Sequence, residues 1–204
     1  MSKRETKNIL NRTGAFSLSQ KRHLRGVIDN IYADGATDQM SGVGSGFTGT
    51  GTIAKQSVTE ADGIITTQIL IDLTGLHSST TLIDIIGGEG AANCHFGYID
   101  PDVNGTILSG WIQCLETPAG GVTDIDIYSA DEATGTEDTT IGDLTETVLH
   151  ANAGAWSAAL STNTAFSAAL PPANEYLYLA VGVAGTAGTY TAGQFLITLI
   201  GYRA

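Results

Sequence analysis

Residues 64–73, IITTQILIDL, decide the fold class. Ile65, Thr67, Ile69, Ile71 and Leu73 fall on one face of an extended chain, and Thr66, Gln68 and Asp72 on the other. That is the period of two that a half-buried strand requires. The pattern recurs in TDIDIYS, residues 123–129, which puts Ile125 and Ile127 inward and Asp124 and Asp126 outward. In EYLYLAVGV, residues 175–183, Leu177, Leu179, Val181 and Val183 oppose Tyr176 and Tyr178. GQFLITLIGY, residues 193–202, is apolar on both faces, as a central or interface strand would be.

Strands are expected at about 52–58, 64–73, 80–86, 93–99, 106–116, 123–129, 144–149, 174–183 and 194–202. Turn-rich stretches such as TPAGG and AGTAGTYTAG separate them. Many short strands joined by Gly-rich turns predict an all-β fold, a jelly-roll-like antiparallel β-sandwich. The Ala-rich stretch at 150–174 fits either short helical turns or an excursion over a sheet.

Composition agrees, with 26 Gly among 204 residues and only 15% charged side chains. The length suits one sizeable domain carrying an arm. No run of about 18 apolar residues predicts a membrane span. The first residues, MSKRETKNILNRTGAF, are basic and lack the apolar segment of a secretory signal. Cys94 and Cys114 are too few for a disulfide framework and are expected to be reduced and buried.

YIDPDVNGTI, residues 98–107, imitates the first half of a calcium loop through Asp100, Asp102, Asn104 and Gly105. Counting from Asp100, the twelfth position, where a bidentate Glu belongs, is Trp111. The stretch is therefore expected to be a β-hairpin turning at Asn104-Gly105, with Cys94 and Cys114 on its neighbouring strands. Gly44, Gly46 and Gly49 form a GxGxxG without a strand before it or a helix after it, so a flexible segment is expected there rather than a dinucleotide loop. His23, His77, His95 and His150 are scattered. Asp124, Asp126, Asp131 and Glu132, extended by Glu137, Asp138 and Asp143, are expected to form a solvated acidic surface, with calcium binding at that cluster as the alternative reading. No catalytic residue, metal ligand or cofactor is expected, and the chain does not read as an enzyme.

The net charge of -12 conceals a division. Residues 1–25 hold seven basic side chains against Glu5 (7 - 1 = +6), and residues 26–204 hold two against 20 acids (2 - 20 = -18). An arm of one sign on a body of the other is expected to meet a partner. Ser17 and Gln20 make a capping box, and Leu24, Val27, Ile28 and Ile31 follow at helical spacing, predicting an amphipathic helix over about 18–33. The chain is thus expected to have three parts: a basic arm at 1–40, a Gly-rich linker at 41–52 and the β-sandwich at 53–204. The candidate binding residues are Lys3, Arg4, Lys7, Arg12, Lys21, Arg22, Leu24, Arg25, Val27, Ile28 and Ile31.

ILIDLTGLHSSTTLIDIIG, CLETPAGGVTDIDIYSA and NEYLYLAVGVAGTAGTYTAGQFLITLIGY resemble stretches of proteins encoded near capsid genes in marine tailed phages. The resemblance covers about residues 64–202 and rests on strand and turn phrases. It implies a head decoration, or cement, protein: a jelly roll, often trimeric, on the outer capsid surface. Its expected partners are the major capsid protein and other copies of itself. Nucleic acid and membranes are not expected partners. The expected location is the virion, after synthesis in the host cytoplasm. Two other readings stay open: a single jelly-roll coat protein with a nucleic-acid-facing arm, and a glycan-binding adhesion module using Tyr98, Trp111, Tyr176 or Tyr178.

Overall fold

The computed structural model describes residues 42–152, 154–158 and 163–203. The expected arm helix and every candidate arm residue from Lys3 to Ile31 lie outside them. The chain divides into two units after Asp38, and the described residues all belong to the unit beginning at Gln39.

The alternation in residues 64–73 becomes β2, Ile64–Asp72, with Ile65, Thr67, Ile69 and Ile71 buried. It forms a hairpin with β1, Ile53–Ala61, which runs three residues past the expected end. Asp62 and Gly63 make the turn at φ 53° and 79°. Positive φ at both central residues matches the right-handed twist of the flanking strands, and Asp-Gly supplies it at low steric cost. β2 also pairs with β11, Ala192–Tyr202. β11 pairs on its other side with β5, Thr106–Ala119, which carries the short β8, Thr164–Ala165, at its far edge. The five-stranded antiparallel order is β1-β2-β11-β5-β8. β11 sits in its centre, as its two apolar faces require.

The second sheet has the order β4-β9-β6-β7, built from Gly97–Tyr98, Tyr176–Val181, Ile125–Ala130 and Glu146–His150. One apolar cluster joins the two sheets: Ile69 and Ile71 of β2, Ile112 of β5 and Phe195 and Ile197 of β11 share it with Ile127 of β6 and Leu177 and Leu179 of β9. Each such side chain contributes about 1.5–3 kcal/mol by leaving water. A third, two-stranded sheet pairs β3, His77–Ser78, with β10, Gly188–Thr189.

The other face of the second sheet carries a smaller core. Tyr128, Ala130, Tyr178 and Ala180 pack there against Ile85, Cys94 and Ile141 from the covering loops. The expected strands at 80–86 and 93–99 are mostly these loops. Only isolated bridges form within the first, at Asp84 and Ile85, and only Gly97–Tyr98 is a strand within the second. Ile83 and Asn93 both take φ of 61°, which interrupts a ladder.

The hairpin expected at Asn104-Gly105 does not form. Pro101–Asn104 is one helical turn, capped by Asp100, whose carboxylate accepts from Asp102 N at 2.9 Å. Asn104 turns inward and donates to Thr67 Oγ1 at 2.9 Å. Pro fits the first helical position, and a short Asx cap satisfies a turn that opens a helix as readily as one that closes a hairpin. The turn carries the chain from β4 in one sheet to β5 in the other, so the two strands are not partners. Cys94 and Cys114 are free and buried, one on each side of this crossing.

Residues 42–52, the described part of the expected Gly-rich linker, differ from a flexible linker. Gly44 N donates to His95 O at 2.8 Å, Gly46 N to Asn93 O at 3.1 Å and Gly88 N to Gly46 O at 2.7 Å. Phe47 is buried, its ring 5.8 Å from that of Phe96. A Cβ on Gly44 would lie 1.9 Å from Asn93 O, and one on Gly46 2.2 Å from Ala92 O. These glycines permit close backbone approach, which composition alone does not distinguish from flexibility.

Candidate acidic site and exposed surfaces

The acidic surface expected around β6 divides in two. Asp131 is exposed, and Glu132 accepts from Thr145 N at 2.9 Å and Thr145 Oγ1 at 2.8 Å, which hold its carboxyl below the usual range. Asp124 and Asp126 are not solvated, each being only 5% exposed. The covering loops come from residues far away in sequence, so alternation alone could not show that both faces of β6 are buried.

Asp126 Oδ1 accepts from Asn152 N at 2.7 Å. Gly182, just past β9, donates its N–H to Asp124 O at 2.8 Å. A Cβ on Gly182 would lie 2.7 Å from Asp124 Oδ1 and 2.8 Å from Asp126 Oδ1. The two carboxylate oxygens therefore converge over a residue without a side chain, at most 5.5 Å apart (2.7 + 2.8). Burial, together with the neighbouring charge of Asp124, pushes the Asp126 carboxyl up to about 6. Burial also raises Asp124, against the opposing effect of an Asn152 hydrogen bond and the nearby His150.

His150 ends β7 and is 4% exposed. Its ring centroid lies 5.6 Å from that of Trp156, whose Nε1 donates to Ile125 O at 2.8 Å. Burial lowers the imidazole below its ordinary range, partly offset by the Ala165 backbone and Asp124. Among the described residues, Asp124 Oδ1 and both His150 ring nitrogens are buried without a hydrogen-bond partner. The sequence offered one signal for this arrangement: an isolated glycine interrupting the apolar run AVGV marks a close approach.

His77, Glu137 and His95 make structural contacts elsewhere. His77 Nδ1 lies 2.7 Å from Glu137 Oε1, and Glu137 Oε2 accepts from Gly90 N at 2.9 Å. His95 packs edge-on to Tyr176 and Tyr178, with Nδ1 3.1 Å from Ala133 O. The three histidines of the body thus serve three separate places. Burial pushes the Cys94 thiol up to about 11 and raises Cys114 as well, so neither is an activated nucleophile. Among the described residues, no three His, Cys, Asp or Glu side chains are grouped to hold a metal ion.

Of the aromatics considered for sugar contact, Tyr178 is fully buried and donates to Glu132 O at 2.6 Å. Tyr98 and Tyr176 are half-buried, with tilted rings whose centroids lie 4.9 Å apart, and Trp111 is half-buried on β5. The large exposed apolar side chains include Ile64 and Tyr202, cross-strand partners at one end of the five-stranded sheet. Val103 is exposed in the helical turn beside Asp102, whose carbonyl accepts from Arg203. The described residues carry 17 carboxylates against Lys55 and Arg203. Among them, no helix is long and apolar enough to cross a membrane. No known protein family, curated protein or solved structure matches this chain.

Proposed function

We propose that the protein is a decoration, or cement, protein of a phage head, with a jelly-roll body that faces solvent and a basic arm that clasps capsid subunits or a neighbouring copy. The strand order supports the body. With β2, β4, β5, β6, β7, β8, β9 and β11 taken in sequence, one sheet reads β2-β11-β5-β8 and the other β4-β9-β6-β7. The first strand pairs with the last, and the chain crosses repeatedly between sheets, which is the arrangement of two Greek keys in a jelly roll. β1 adds an outer edge.

The single observation that carries the functional reading is the charge division. A body with 17 carboxylates and two cations is repelled by nucleic acid, whereas an arm of +6 is drawn to an acidic protein surface. Linking three arms in a trimer would raise avidity by about 100-fold or more where all three engage. No bond-breaking residue is needed. The test is co-sedimentation of the full chain with undecorated tailed-phage capsids over a range of salt. Saturable binding that weakens with salt is expected. No binding to any of several capsid types, with retention of a glycan, would support the adhesion reading instead.

A further inference from the structure

We propose that Asp124 and Asp126 form a binding site for one hard divalent cation of the calcium class, set at the edge of the second sheet beneath Gly182. This goes beyond the decoration reading and does not depend on it.

Two observations converge. First, Asp124 Oδ1 and Asp126 Oδ1 both approach Gly182, whose missing side chain lets them come within at most 5.5 Å of each other. That is comparable with the span one calcium ion bridges at about 2.3–2.6 Å per bond. Second, Asp124 Oδ1 makes no hydrogen bond although Asp124 is only 5% exposed. A buried carboxylate oxygen without a partner is costly, and two adjacent carboxylates compound that cost by repulsion. A divalent cation cancels both charges at once. Asn152 and Gly182 are half-buried, so the site borders solvent.

The chemistry fits a hard ion better than a soft one. The converging donors are oxygens, and Cys94 belongs to a different cluster. With only two carboxylates, affinity should fall in the weak range of about 10⁻⁴–10⁻³ M typical of extracellular calcium modules. The groups facing the site are Asp124 and Asp126 at the start of β6, His150 at the end of β7 and Asn152 beyond it, with Gly182 of β9's exit contributing no side chain. Tyr128 and Glu146 lie farther along the same sheet.

Trp156 supplies the readout. Its Nε1 donates to Ile125 O, the residue between the two aspartates, which places the indole to sensitise a terbium ion, an imitator of calcium, at the carboxylates. The full chain, stripped with chelator, is titrated with terbium and then with calcium, and its melting temperature is followed with calcium alone. The expected results are saturable sensitised emission displaced by calcium and a calcium-dependent rise in melting temperature. Asp124→Asn and Asp126→Asn should each weaken both by about tenfold or more. Both substitutions keep the side-chain shape and remove repulsion, so a native circular-dichroism spectrum is expected. Trp156→Phe should lose emission and keep the calcium-dependent stabilisation, and Asp131→Asn should change neither. An equal calcium effect in the wild type and in the Asp124→Asn/Asp126→Asn double variant would overturn the proposal, as would the absence of saturable terbium binding at millimolar concentration.

Discussion

Asp126 shows how a single side chain departs from its sequence pattern. Alternation in TDIDIYS gave its direction from the strand correctly but said nothing about what covers that direction. Its carboxyl, raised from 3.8 to about 6, has a definite consequence for stability. A group whose folded value exceeds its unfolded one contributes stability fully present below the unfolded value and lost as pH rises through the folded value. Asp124 acts in the same sense. His150, lowered, acts oppositely: its contribution is present above 6.5 and lost as pH falls. In chelator, Asp126→Asn should therefore gain stability relative to the wild type by about 2–3 kcal/mol between about pH 4 and about pH 7. Denaturant unfolding at several pH values measures the difference, and a difference independent of pH would contradict the burial argument. The thiols give a second residue-scale prediction. Cys94 and Cys114 are buried and protonated at neutral pH, so a thiol reagent should react with neither until the protein unfolds. Rapid labelling of the native protein would count against this.

At the scale of elements, long alternating segments were readable and short ones were not. β2, β6, β9 and β11 appear close to their expected positions because each carries several alternate apolar residues that one sheet face buries. The stretches at 80–86 and 93–99 have strand-forming residues, but their partners lie in loops, so they form bridges and lone hydrogen bonds. Asn104-Gly105 was ambiguous because Asx-Gly chemistry serves hairpins and helical turns alike, whereas Asp62-Gly63 makes the hairpin it encodes. The Gly-rich stretch at 42–52 is the largest departure. Its role is testable through Phe47, which should cost about 3–5 kcal/mol when changed to Ala if the segment is part of the core. Gly44→Ala should also destabilise the protein, since its Cβ would meet Asn93 O at 1.9 Å. Thermal unfolding reads both, and unchanged melting temperatures would restore the flexible-linker reading.

At the scale of the whole molecule, the sequence carried the antiparallel β class because period-two patterning is local, and the charge division because it needs only counting. The buried acidic site was hidden because it depends on β6, β7 and the exit of β9 meeting in space, which no local pattern encodes. The proposed attachment of this protein to a capsid rests on a +6 arm carried by an acidic body. It is tested by co-sedimentation with undecorated capsids of the full chain beside a form lacking residues 1–40, both first shown to melt cooperatively. Saturable binding by the full chain is expected, with loss of binding and a retained fold on deletion. Equal binding by the two forms would refute attachment through the arm and move the contact to the acidic body.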